Sequence, residues 1–217
     1  MAVLTLAFPY AERKRWIRFY LVVFLAVLLH TYALAFLILP FFKAKPWKLK
    51  TLLLLAGTVF LLMNFREIIT EFMDQANELG KTLADYEVFD SQTINPMRLA
   101  VYAVPPVISL IFQKWLNAEA TPMDNLFMQM SIISLSFMLM GTQSGANMFA
   151  RMAHYFEIGT ICILPWMIRQ PFVEKSHKVI TAIAVACFGV FFVYAYGMNM
   201  RFDDEYKVVH WLNFLSF

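Results

Sequence analysis

Apolar residues in this chain fall in long, nearly unbroken blocks rather than in the alternation of a half-buried strand. Six such blocks run over residues 17–41, 49–69, 97–115, 124–142, 148–168 and 178–199. Roughly 20 predominantly apolar residues carry an α-helix across a bilayer, so the pattern predicts about six crossings. In hydrocarbon every backbone N–H and C=O must be bonded within the segment or within a closed barrel, and no segments of alternating apolar and polar residues suggest a barrel. The expected fold is therefore all-α, a polytopic transmembrane helix bundle forming a single domain over 1–217. Trp16, Trp47, Trp115 and Trp166 stand at block ends, as in an interfacial aromatic belt. Pro105 and Pro106 lie inside the third block and predict a kink there.

Polar residues gather between the blocks. The longest connection, 66–96, holds seven acidic residues against Arg66 and Lys81, a net charge of −5. Within it Ile68, Phe72, Ala76 and Leu79 recur at helical spacing, which predicts an amphipathic surface helix over 67–83 followed by an irregular stretch. Lys43, Lys45, Lys48 and Lys50 in one turn, and Arg169, Lys175 and Lys178 in another, mark those turns as cytoplasmic, with the acidic loop, the turn 143–147 and the tail from Arg201 facing outward. The basic run 12–18 contradicts this scheme: if 17–41 is a single helix, Arg13, Lys14, Arg15 and Arg18 face outward.

Composition strengthens the membrane assignment. Hydrophobic residues make up 60% of the chain and charged residues 15%, against about 45–50% and about 25% in soluble domains. Met1–Tyr10 is too short to span and has neither a positive n-region nor a small-residue cleavage site, which argues against a signal peptide. Cys162 and Cys187 lie within apolar blocks and read as small core hydrophobes rather than a disulfide or metal pair. The net charge of +3 adds little.

Ionisable residues inside membrane helices are costly and mark candidate sites. The fifth block is the richest. Arg151, His154 and Tyr155 fall at i, i+3 and i+4, on one helical face, and Glu157 follows. A guanidinium offers a fork of donors suited to phosphate oxygens. His154 can donate to phosphate or shuttle a proton, and Glu157 can accept a proton from an incoming hydroxyl. The bland alternative has Arg151 reaching to lipid headgroups with Glu157 as its partner. Arg66 and Arg98 flank the acidic loop and can reach a phosphate near the outer leaflet, or anchor headgroups singly. His30 lies mid-block, where an interhelical hydrogen bond competes with a substrate role. Two such histidines supply too few ligands for a metal site, and Asp203-Asp204-Glu205 reads as a solvated acidic run.

The run Ala26–Leu34, with His30 at its centre, resembles the His-containing helix of EpsG-like, Wzy-type polysaccharide polymerases. Arg151-Met152-Ala153-His154-Tyr155-Phe156, with Pro165 in the same block, resembles that family's Arg…Tyr-Phe…Pro helix. Thr31-Tyr32 departs from the small pair more usual there. Met1–Phe8 looks like the end of a helix that precedes the basic turn. The expectation is thus the C-terminal part of the family, an N-terminally truncated member whose basic run 12–18 faces the same side as Arg151.

The resemblance implies a multi-pass glycosyltransferase of the bacterial inner (cytoplasmic) membrane that joins undecaprenyl-pyrophosphate-linked oligosaccharide repeat units on the outer face. Pyrophosphate is the leaving group, so no cofactor, nucleotide sugar or metal is implied. Arg151, with Arg66 and Arg98, would stabilise the departing charge; Glu157 or His154 would serve as base; His30 and Tyr155 would border the substrate, and Tyr86 would stack on a sugar. Membrane lipids and chain-length regulator or flippase proteins are the implied partners, with no nucleic acid. Two other functions compete: a non-catalytic membrane subunit of an envelope-polysaccharide assembly, and a small transporter with a midplane polar site.

Overall fold

The computed structural model describes residues 2–42, 45–65, 67, 71, 93–143 and 146–202, and among them all regular structure is helical. The amphipathic helix expected over 67–83 lies almost wholly outside the described residues. The chain forms two compact units, Met1–Phe172 and Val173–Phe217. In the second, a short 3-10 turn, Glu174–Ser176, leads into a single long helix, His177–Phe202.

The first unit opens with two short helices, α1 (Ala2–Thr5) and α2 (Phe8–Glu12), then α3 (Trp16–Leu29), a 3-10 helix over Thr31–Phe42, and α4 (Leu49–Met63). After the acidic loop come α5 (Pro96–Ile111), α6 (Gln113–Glu119), α7 (Pro122–Met140) and α8 (Ala146–Met167). Among the described residues, Pro122–Met140 and Glu174–Ala195 are each long and apolar enough to cross a membrane; α5 with α6 makes a third span if the bent pair counts as one. The chain is thus of the helical membrane class, with α3, the Thr31–Phe42 helix and α4 as shorter apolar helices.

Helix α7 is the centre of the unit. It packs against α8, α5, α4 and the long 3-10 helix, and is buried on nearly every side. Several of its polar residues are matched within the bundle, although the buried Oδ1 of Asn125 is not. Ser131 donates to the Met128 carbonyl at 2.7 Å and Ser136 to the Ile132 carbonyl at 3.1 Å. Gln129, fully buried, exchanges hydrogen bonds with Thr51 of α4. At its start, Thr121 and Asp124 form a capping box.

Helices α7 and α8 approach each other closely at Gly159. A Cβ added at Gly159 would stand 2.5 Å from the Met130 Cβ and 2.9 Å from the Phe127 carbonyl oxygen. Small residues let membrane helices approach this closely, which maximises dispersion contacts where the hydrophobic effect between helices is weak. One turn and a half further along, the Ser134 hydroxyl donates to the Ala153 carbonyl at 2.9 Å. These contacts hold the polar half of α8 in register with the end of α7.

The 17–41 block is not one crossing. It breaks at His30, whose φ of −159° and ψ of 113° are extended, and the chain doubles back. Phe19 stacks on Phe36 with ring centroids 6.1 Å apart, so α3 and the 3-10 helix run antiparallel. Each arm has its own buried face. In α3 it is Phe19, Val23 and Ala26, at α-helical spacing; in the 3-10 helix it is Ala33, Phe36 and Leu39, at a period of three. The arms are about 21 Å and about 24 Å long.

The hairpin removes the charge contradiction. Arg13, Lys14, Arg15 and Arg18 stand at its open end with Lys45, Lys48 and Lys50, whereas Tyr32 at its closed end meets Arg151. The basic run therefore does not face the same side as Arg151. The proline kink also moves. Helix α5 continues through Pro105 and Pro106, both on its buried side, and the chain instead bends by 81° at Phe112. Cys162 and Cys187 are free and exposed rather than in the core; in a membrane protein the outer face is itself apolar, so hydrophobic residues need not point inward.

Two outcomes test this architecture. Epitope tags inserted at 13–15 and beside Lys45 should be labelled from the same side of the membrane, and a tag within 66–96 from the other. Labelling of the 13–15 and 66–96 tags together would rule out the hairpin. Gly159→Leu should lower stability by about 1–3 kcal/mol, the usual cost of overpacking, while Gly57→Leu, which meets nothing within 4 Å, should not; thermal unfolding in detergent reads both.

Candidate functional site

The site gathers around the first three turns of α8. Ala150 and Ala153 are buried against Tyr102 of α5, Met138 of α7 and Ile94. Their small side chains allow α5 to lie beside the polar face. The start of α5 is fixed from two directions. The Ile94 N–H donates to the Gly141 carbonyl at 2.9 Å, tying this segment to the end of α7. The Asn95 side chain caps the helix by accepting from the Met97 N–H at 2.8 Å.

Arg98 consequently sits in the first turn of α5, where the helix dipole disfavours a cation. It finds compensation on α8. Its Nη2 lies 2.8 Å from Nε2 of His154, and His154 Nδ1 lies 2.7 Å from Oε2 of Glu157. A guanidinium can only donate and a carboxylate can only accept. His154 must therefore accept at Nε2 and donate from Nδ1, which defines a neutral imidazole in one tautomer. The Tyr102 hydroxyl is 3.3 Å from the same Nδ1. Arg98 and Tyr102 are at i, i+4 on α5, and His154 and Glu157 at i, i+3 on α8, so each helix presents two groups to the other. The His154 and Glu157 side chains remain 44% and 35% exposed, leaving the cluster open on one side.

Arg151 belongs to a different group. It is exposed on the flank facing the long 3-10 helix, with Cζ 5.8 Å from the centre of the Tyr32 ring, within cation–π range. His30, at the hairpin turn, has its ring centre 5.4 Å from Tyr32 and 5.9 Å from Tyr155. Tyr155 is buried in the main apolar core beside Phe156. Among the described residues no Lys or Arg side chain pairs with a carboxylate within 4 Å, and Arg151 has no carboxylate partner there.

The sequence pattern put Arg151, His154 and Tyr155 on one face. The structure divides that face. Arg151 and Tyr155 look toward the 3-10 helix, and His154 and Glu157 toward α5. Successive residues turn by about 100°, so Arg151 and Glu157 are about 120° apart around α8. Glu157 takes His154 rather than Arg151 as partner. Arg98 joins the site, whereas Arg66 and Tyr86 lie outside the described residues. Tyr102 was missed by sequence reasoning, although its position one turn after Arg98 was the available signal. Tyr32 figured there only as a departure from a motif. No group of three or more His, Cys, Asp or Glu side chains assembles among the described residues.

The arrangement supplies two complementary things: a charge-balanced Arg–His–Glu chain that fixes a carboxylate, and a guanidinium on an aromatic platform with no carboxylate partner among the described residues. Comparison with curated proteins and with solved structures returns no match. The model of the EpsG family matches residues 1–206. The chain, a helical membrane protein of polysaccharide biosynthesis, belongs to the EpsG family.

Proposed function

We propose that this protein is a polysaccharide polymerase of the bacterial inner membrane, joining undecaprenyl-pyrophosphate-linked oligosaccharide units at the outer face. The observation that supports this reading is the presence, on one helix, of a cation at Arg151 with no carboxylate partner among the described residues and a carboxylate at Glu157 that His154 and Arg98 hold in place. These groups lie at the closed end of the hairpin, away from the basic runs that mark the cytoplasmic side.

The reaction needs little else. A hydroxyl of the incoming unit attacks the anomeric carbon of the chain's reducing-end sugar, and the bond from that carbon to the pyrophosphate oxygen breaks. The departing pyrophosphate takes the electron pair, and Arg151 stabilises its charge. Glu157 takes the hydroxyl proton. With Nε2 engaged by Arg98 and Nδ1 by Glu157, His154 is a positioning residue rather than the base, and Arg98 acts through it. Undecaprenyl-pyrophosphate oligosaccharide is then both donor and acceptor, and chain-length regulators and flippases are the partners such an enzyme works beside.

Glu157→Gln should reduce chain extension by about 10²–10⁴-fold, the range for loss of a general base, with the protein still present in the membrane. Arg151→Ala should reduce it by about 10²–10³-fold, the range for one charge-stabilising donor. Gel profiles of polysaccharide length, and turnover of lipid-linked units by the purified chain, measure both. An unaltered length distribution in these variants would remove the assignment, and no turnover by the purified wild-type chain would favour a non-catalytic subunit.

A further inference from the structure

One member of the α5–α8 cluster, Tyr102, has no role in the reaction. It is also the most firmly held. Tyr102 is 8% exposed, whereas the His154 and Glu157 side chains are 44% and 35% exposed. Its ring lies in the apolar cluster of Ile94, Met138 of α7, and Ala150 and Ala153 of α8. A ring with two side-chain torsions, gripped on several sides, leaves its hydroxyl little freedom. The exposed side of the cluster fixes Glu157 less firmly. His154 and Glu157 stand at i, i+3 on one helix, and such pairs are weak where water competes.

The protons of the cluster give the Tyr102 hydroxyl a direction. The single proton on Nδ1 of His154 is committed to Glu157 Oε2 at 2.7 Å, and Nε2 accepts from Arg98. The Tyr102 oxygen, 3.3 Å from Nδ1, takes only a minor share of that N–H. Its own proton needs an acceptor, because a buried hydroxyl without one is costly. A guanidinium accepts nothing, and both imidazole nitrogens are engaged. Within the cluster the Glu157 carboxylate remains, and Tyr102 hydrogen-bonds to it.

We propose that Tyr102 is a positioning residue that orients the Glu157 carboxylate toward the incoming hydroxyl; the reaction it serves rests on the polymerase reading above. The base is then held by donors from two helices. His154 belongs to the same helix as Glu157 and moves with it. Tyr102 holds it from α5, through a ring wedged against α7 and α8. The angle of the base is thereby tied to the packing of α5. The Ile94 bond to Gly141 and the Asn95 cap, which place the start of α5, reach the carboxylate through Tyr102. Arg98 and Tyr102 divide the work: one balances charge, the other sets direction.

Tyr102→Phe keeps the ring and removes only the hydroxyl. With the full chain in detergent and lipid-linked repeat units as substrate, it should lower kcat about 10–10²-fold, the scale on which small misplacements of a reacting group act. KM should stay within twofold, because the hydroxyl touches the base and not the substrate. Thermal unfolding of the same samples gives a measure that needs no activity. Tyr102→Phe should lower Tm in the wild-type chain and lower it less in Glu157→Ala, where the hydroxyl has already lost its acceptor. In Arg151→Ala, on the other flank of α8, the fall should match that in the wild type. A kcat within twofold of wild type would overturn the proposal, as would an equal fall in Tm with and without Glu157. A raised KM with kcat unchanged would move Tyr102 to substrate binding and overturn it too. The two readings fail separately. If the wild-type chain turns units over and Tyr102→Phe does so equally well, the polymerase stands and the positioning role falls. If the wild-type chain turns nothing over, the polymerase falls, and the Tm comparison alone decides whether Tyr102 orients Glu157.

Discussion

The contact between α7 and α8 at Gly159 governs the geometry of everything nearby. With no Cβ at that position, α8 can press its backbone against Met130 and the Phe127 carbonyl. In a bilayer the helices gain little from excluding water between them, so association depends on such packing and on satisfied polar groups. Ser134 adds one of those by bonding the Ala153 carbonyl. Because α7 is itself anchored by α4 through Thr51 and Gln129, α8 is held against a fixed support. Its first three turns can then expose two different polar edges without losing their place.

Those edges have opposite characters. On the α5 side the charges are balanced: Arg98 and Glu157 are joined through a neutral His154, with Arg98 Nη2 donating to Nε2 and Nδ1 donating to the carboxylate. Such a network resists displacement because an unmatched member in a low-dielectric setting is costly. On the hairpin side Arg151 has an aromatic face but no carboxylate partner among the described residues. An arrangement with one hydrogen-bonded carboxylate and one cation without a carboxylate partner among the described residues suits a reaction in which a carboxylate must stay oriented while an anion arrives and leaves.

The broken first block links the architecture to the charge pattern. An uninterrupted helix over 17–41 would put Arg13–Arg18 outside, against the usual distribution of basic residues. Folding back at His30 returns both ends of the block to one side and brings His30 to the level of Tyr155. The 3-10 arm begins at the next residue, Thr31. His30, which the sequence placed in mid-block, is the turn on which the hairpin closes.

Much was legible without coordinates. Long apolar blocks cannot be satisfied in a bilayer except as helices, so the helical membrane class followed from backbone hydrogen bonding alone, and the Arg-His-Tyr-Phe run marked α8 as the polar helix. The family followed from short motifs in those two places. The sequence could not reveal which residues pair across helices. Spacing shows that Arg151 and His154 are neighbours on α8, but only packing decides that one turns to the hairpin and the other to α5. Nor could it reveal the fold-back at His30 or the bend at Phe112. Hydropathy registers whether a segment is comfortable in lipid, and both arms of the hairpin are as apolar as one continuous helix would be. The direction in which a chain leaves a turn is decided by what it then packs against, here Phe19 against Phe36 and Phe36 against Phe156, and those contacts exist only in three dimensions.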